Sequence, residues 1–220
     1  MIGAFEKSTD AIKQLISSGV AVSINTTVTH DNINSLEDLI DSAAEFGCSS
    51  YKAITFVPAG RGHLNSDRLK LSRFENYLMG KIIVNKSKEY KGKMSISTET
   101  TFEHLVERKN VKRNKQQGTM GCSAGNASLS IGSDGTLYPC PFFRNFPLGN
   151  ILQDDFKDIW NNHPILRKLR SIEKSEMEEP CRSCSFAPDY CMGGCRASAF
   201  IESGNLFATD PNCFATIPVP

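Results

Sequence analysis

The residues best suited to chemistry in this chain are cysteines. Seven of the eight, Cys122, Cys140, Cys181, Cys184, Cys191, Cys195 and Cys213, fall in the second half, while Cys48 stands apart in the first. The run Cys181-x2-Cys184-x6-Cys191-x3-Cys195 also contains Pro188, Gly193 and Gly194. Such short spacings let several sulfurs converge, and the glycines let backbone amides come close enough to hydrogen-bond to them. A knuckle of four cysteines suits zinc as well as iron. Seven cysteines do not divide into two complete zinc sites of four thiolates, whereas an iron–sulfur cluster tolerates an iron without a protein ligand. Spacing alone leaves both metals open.

The alternative use of cysteine is the disulfide. Met1 to Asp10 lacks a basic start followed by an apolar stretch, so it does not read as a secretory signal. A chain that is not exported is expected to be cytoplasmic with reduced thiols, and dense cysteine there points to metal. Cys48 follows an amphipathic pattern and reads as a buried apolar thiol. The four histidines, His30, His63, His104 and His163, have no metal-ligand spacing and read as surface or capping residues.

Composition excludes other classes. The chain has 220 residues, enough for one large domain or two small ones, and 40% are hydrophobic, enough for a packed core. Lys and Arg number 25 against 24 Asp and Glu, a net charge of +1, so a broad electrostatic footprint for nucleic acid is absent. No apolar run is long enough to span a membrane.

The first half must position whatever the cysteines hold, and it alternates helix and strand. Phe5 to Ser18 puts Phe5, Ile12, Leu15 and Ile16 on one helical face, with Gly19 as the stop. Val20 to Val28 alternates apolar residues at period two. Ser35 and Asp38 have capping-box spacing ahead of Leu36, Leu39, Ile40, Ala43 and Phe46, and Gly47 ends that helix. Tyr51 to Val57 is the next strand. Ser72 and Glu75 cap a third helix to Lys88, with Phe74, Leu78 and Ile82 on a shared face, and Met94 to Ser97 is a short strand. This order predicts an α/β fold with parallel strands and right-handed crossovers. So few strands leave edges with unpaired backbone groups, so either a partner covers them or, as is expected here, the natural chain continues upstream. Arg108 to Lys115 holds five basic residues in eight and reads as a solvated linker.

In the second half, Leu129-Ser-Ile and Thr136-Leu-Tyr flank Gly132-Ser-Asp-Gly135, a β-hairpin pattern that returns Cys140 toward Cys122. Phe156, Ile159 and Trp160 have helical spacing, and Trp160 reads as a core anchor.

The framework Cys122-x12-Gly135-x4-Cys140, then Cys181-x2-Cys184-x6-Cys191-x3-Cys195, then Cys213, resembles the seven-cysteine SPASM extension of radical SAM enzymes. The intervening text agrees: Ser133-Asp-Gly135, Tyr138-Pro-Cys140, Leu148-Gly-Asn-Ile151, Gly193-Gly-Cys195-Arg and Asp210-Pro-Asn-Cys213. The first half is similar to the later part of a radical SAM barrel through Gly3-Ala-Phe-Glu6, Ile24-Asn25-Thr-Thr-Val28, Asn32 and Phe56-Val-Pro-Ala-Gly-Arg61. The gap before Cys191 is one residue longer than the family usually has, and Asp189 lies in it. The Cys-x3-Cys-x2-Cys loop of the catalytic cluster, and the Gly-Gly-Glu segment after it, do not occur in this sequence. In the family both lie upstream, so the chain is expected to be a C-terminal fragment.

The resemblance implies a partial (β/α) barrel half followed by a small cysteine-rich SPASM domain with a β-hairpin and short helices. The corresponding divisions are 1–107 for the barrel part, 108–118 for the linker and 119–220 for the SPASM domain. It implies two auxiliary 4Fe–4S clusters with interleaved ligands: Cys122, Cys140 and Cys195 for the first, and Cys181, Cys184, Cys191 and Cys213 for the second. It implies S-adenosyl-L-methionine and a third 4Fe–4S cluster in the full-length form, whose 5′-deoxyadenosyl radical abstracts hydrogen from a substrate. The family flavour is that of the pyrroloquinoline quinone and mycofactocin maturases. The implied substrate is therefore a ribosomally made peptide or protein, with a peptide-chaperone protein and a reductant such as flavodoxin or ferredoxin as partners. The alternatives are a standalone iron–sulfur electron-transfer or peptide-binding module without SAM chemistry, and a zinc-stabilised interaction protein.

Overall fold

The computed structural model describes residues 3–98, 106 and 120–216. The predicted linker, 108–118, lies outside the described residues, as does His104. The chain divides into two compact units. The first takes its described residues from 3–56, 67–98 and 106, the second from 57–66 and 120–216.

In the first unit, helix α1 (Ala4–Ser17) ends where Gly19 turns back with φ of 79° and donates to Ile16 O. Strand β1 (Ser23–Val28) alternates exposed and more buried residues, as period two requires. Helix α2 (Leu36–Glu45) leads to β2 (Ser50–Thr55), and helix α3 (Arg73–Glu89) leads to β3 (Ser95–Thr98). The sheet order is β1-β2-β3 and both pairings are parallel, with Asn25 opposite Lys52 and Lys52 opposite Ser97. Val28, Tyr51, Ala53 and Ile96 pack with Leu36, Ile40, Ala43, Met79 and Ile83 in one buried core. Apolar burial of this kind supplies most of the stability of such a layer. Ser23, Asn25, Thr27, Ser95 and Ser97 are less buried than these alternating core positions and leave a polar second face.

Three local expectations differ. Ser35 makes no side-chain cap. The turn before α2 is held by Asn32, whose Oδ1 accepts from Thr29 N at 2.8 Å and whose Nδ2 donates to Thr27 O at 3.0 Å. Ile33–Ser35 then forms a 3₁₀ turn that displaces the predicted cap by one turn. In α3 the inward face carries Asn76, Met79, Gly80 and Ile83, while Phe74 is about half exposed. Apolar residues lie on both sides of this helix, so periodicity did not single out the inward one. In α1, Ile12 and Ile16 reach the core but Phe5 and Leu15 face outward.

The second unit contains the antiparallel strands β4 (Ser130–Ile131), β5 (Thr136–Tyr138) and β6 (Gly149–Asn150), in that order. Gly135 has φ of 84°, and a Cβ there would sit 2.7 Å from Asn150 Oδ1, so the turn needs glycine twice over. Helix α4 (Phe156–Asn162) is capped by Asp155, and α5 (Pro164–Arg170) by the ring of His163. Helix α6 (Arg196–Ser203) starts at Cys195. Leu137, Leu148, Ile159 and Leu166 form one small core, and Met120, Phe143, Leu169, Ile172 and Met177 belong to another. Trp160 is half-buried at the rim of the first, with the Arg170 guanidinium 4.4 Å from its ring centroid.

Candidate metal centre

Each cysteine is delivered by a different local device. Cys122 precedes a turn in which Ala124 N approaches its sulfur at 3.5 Å. Cys140 follows β5, and the amides of Phe142 and Phe143 face its sulfur. Cys195 is the N-cap of α6, where Ser198 N lies 3.4 Å from its sulfur. The amides of Gly193 and Ala215 serve Cys191 and Cys213 in the same way. The Cys181 sulfur lies 3.6 Å from Thr209 Oγ1, and Lys174 Nζ donates to Cys184 O at 2.8 Å. Amide-to-sulfur hydrogen bonds stabilise thiolate charge and set the potential of any cluster bound there.

The thiols fall into two electrostatic groups. Cys122 acts on both Cys140 and Cys195. Cys184 acts on Cys181, both act on Cys191, and Cys181 and Cys191 act on Cys213. Cys181, Cys191 and Cys213 feel chiefly one another, Cys184 and Asp210 rather than a thiol of the trio. Burial pushes the Cys140, Cys181 and Cys191 thiols up, Cys195 to about 11 and Cys213 to about 12. A bound cation reverses that balance, because coordination deprotonates the thiol.

Among the described residues, no three His, Cys, Asp or Glu side chains converge on one point as ligands of a single ion would. Zinc holds its thiolates at about 2.3 Å around one centre. In a 4Fe–4S cluster each thiolate binds its own iron, and the donor set here, thiols with backbone amides aimed at several of the sulfurs, suits thiolate ligation. The buried Ser198 hydroxyl has no partner at ordinary hydrogen-bond distance, yet it faces the Cys195 sulfur closely enough to favour the thiolate.

The eighth cysteine, Cys48, is buried in the core of the first unit, where burial raises its thiol pKa. His30 lies 2.6 Å from Glu75 and His163 caps α5.

Two residues of this region had no assigned role in the sequence reading. Asp210 is 1% exposed, and Arg196 is fully buried. Asp210 Oδ2 accepts from Cys195 N at 2.5 Å and Oδ1 accepts from Asn212 N at 2.9 Å. Arg196 donates to the carbonyls of Leu206, Ala208 and Gly193. The sequence signal for both was their place in the segments Gly193-Gly-Cys195-Arg and Asp210-Pro-Asn-Cys213.

Residues 122–185 match the family model described as SPASM, an iron-sulfur cluster-binding domain. The AdoMet-dependent heme synthase of Methanosarcina barkeri is 28% identical over 97% of this chain and 61% of its own length. The mycofactocin maturase MftC of Mycobacterium ulcerans is 28% identical over 96% of this chain and 55% of its own. The crystal structure of Streptococcus suis SuiB bound to precursor peptide SuiA superposes with a TM-score of 0.69 at 16% identity, covering 96% of this chain and 48% of that one. The chain thus spans about half to three-fifths of the relatives it matches. It resembles the C-terminal portion of a radical SAM enzyme with a SPASM domain.

Proposed function

We propose that this chain is the cluster-bearing part of a radical SAM enzyme that modifies a ribosomally made peptide or protein. The observation that carries the reading is the match of residues 122–185 to an iron-sulfur cluster-binding domain, in a region that carries seven free thiols. Cys122, Cys140 and Cys195 would hold one auxiliary 4Fe–4S cluster, and Cys181, Cys184, Cys191 and Cys213 the other. When bound, these clusters supply one-electron transfer and, at an iron without a protein ligand, a place for substrate.

The chain's own residues do the rest. Amides of Ala124, Gly193 and Ser198 orient the sulfurs and offset their charge. Met120, Phe143 and Met177 belong to the buried core against which Cys140, Cys184 and Cys195 pack, and they keep water from that side. The division into a barrel part at 1–107, a linker at 108–118 and a SPASM domain at 119–220 belongs to this proposal, although 57–66 fall in the second compact unit. The polar sheet face with Asn25 then lines the barrel interior, where S-adenosyl-L-methionine and a third cluster act in the full-length form. A peptide-chaperone protein and a flavodoxin- or ferredoxin-like reductant complete the system, and the expected compartment is the cytoplasm.

The mycofactocin maturase and SuiB similarities support a peptide substrate. The heme synthase, at equal identity to this chain, supports a second reading in which the substrate is a porphyrin precursor of heme. Incubation of the full-length enzyme with S-adenosyl-L-methionine, a reductant and either a precursor peptide encoded beside its gene or a porphyrin separates them. The proposal expects a mass change in the peptide alone. Turnover of the porphyrin alone overturns it.

A further inference from the structure

We propose that Asp210 is a positioning residue shared by both cluster sites. Its carboxylate fixes Cys195 of one and the turn that carries Cys213 of the other. This rests on the two-cluster reading above.

The geometry is that of a clamp with one oxygen on each side. Oδ2 takes the Cys195 amide at 2.5 Å, which sets the backbone at the N-cap of α6 and so the Cys195 sulfur. Oδ1 takes the Asn212 amide at 2.9 Å, and Cys213 N donates to Asp210 O at 2.9 Å. Those two bonds close the turn that presents Cys213. One side chain thus meets the backbone of Cys195 of the trio and closes the turn before Cys213 of the quartet.

The surroundings are built for this close approach. Gly194 has φ of 75°, and a Cβ there would lie 2.6 Å from Asp210 Cβ and overlap its Oδ2. Only glycine leaves room for the carboxylate against this backbone. Arg196 supplies the nearby positive charge that a buried carboxylate needs. Arg196 is itself held by Leu206 O at 2.9 Å, Ala208 O at 2.7 Å and Gly193 O. Arg196 and Asp210, both buried and both hydrogen-bonded to backbone of the cysteine framework, link the segments at 193–196 and 206–213.

The test is Asp210→Asn in the anaerobically purified protein. The substitution keeps the volume but turns one acceptor into an NH2 group facing an amide donor. A chelator is expected to strip iron from both sites roughly ten-fold faster than from wild type, with altered EPR spectra of both reduced clusters. Gly194→Ala, which drives a Cβ into the carboxylate, is expected to give the same paired effect. Cys184→Ala, run alongside, is expected to spare the trio's cluster, so paired loss is not the mark of local damage in general. An Asp210→Asn protein that lacks both clusters is the same result at larger amplitude. Wild-type chelation and spectra in both Asp210→Asn and Gly194→Ala, or change confined to one cluster, overturn the proposal. Wild-type protein without iron and sulfide overturns the two-cluster reading instead.

Discussion

At the residue scale the cysteines separate by what surrounds each sulfur. Cys48 sits among Val28, Ile40 and Tyr51 and has the surroundings of a structural thiol. The other seven sit where backbone amides or neighbouring thiols face the sulfur. Cys184→Ala removes one member of the quartet and leaves the trio's sulfurs untouched. We expect it to lose one cluster's worth of iron and sulfide and to loosen the loop around Cys181 and Cys191, since binding and folding are coupled at such sites. Iron analysis with EPR measures it, and unchanged iron content would refute the ligand assignment. The cysteines were legible in the sequence because their type and spacing are rare. Asp210 and Arg196 were not. Charged residues are normally exposed, and the partners of these two lie up to nineteen residues away along the chain.

At the element scale, what could be read from sequence was what is local. The capping box of α3 is present as written: Glu75 N donates to Ser72 Oγ at 3.2 Å and Ser72 N to Glu75 Oε2 at 2.8 Å. Ser72→Ala should cost about 1 kcal/mol, seen as roughly five-fold faster amide exchange at Glu75. No change in that exchange would mean the cap contributes nothing. The inward face of α3 was not legible, because it is chosen by tertiary contacts, and the Asn32 turn was masked by the competing cap signal at Ser35. One such contact ties α2 to α3. Lys86 Nζ donates to Asp41 Oδ1 at 2.6 Å and Tyr90 OH donates to the same oxygen at 2.8 Å. Burial opposes ionisation of Asp41, and these hydrogen bonds outweigh it, so its carboxyl lies below the ordinary 3.8. A depressed carboxyl contributes stability that is present above the unfolded pKa and is lost as pH falls through the folded value. Denaturation of the first unit at pH 6 and pH 3 should therefore show a larger loss in wild type than in Asp41→Asn. Equal losses would contradict the pairing.

At the scale of the whole molecule, two units divide the labour. One presents a three-stranded parallel sheet with a polar second face, the other a cysteine framework. The parallel order was legible because strands separated by helices have few other solutions. The 220 residues hold no Cys-x3-Cys-x2-Cys loop. This polypeptide by itself is therefore expected to yield no 5′-deoxyadenosine from S-adenosyl-L-methionine and dithionite. Detection of that product by liquid chromatography would show that SAM cleavage needs only these residues.

The most direct test of the account is Mössbauer spectroscopy of the anaerobically purified protein and its Cys140→Ala and Cys184→Ala variants, with zinc quantified in the same samples. The account predicts two 4Fe–4S clusters on residues 120–216, with each substitution abolishing a different one. A colourless, zinc-loaded protein, or a single cluster abolished by both substitutions, would contradict it.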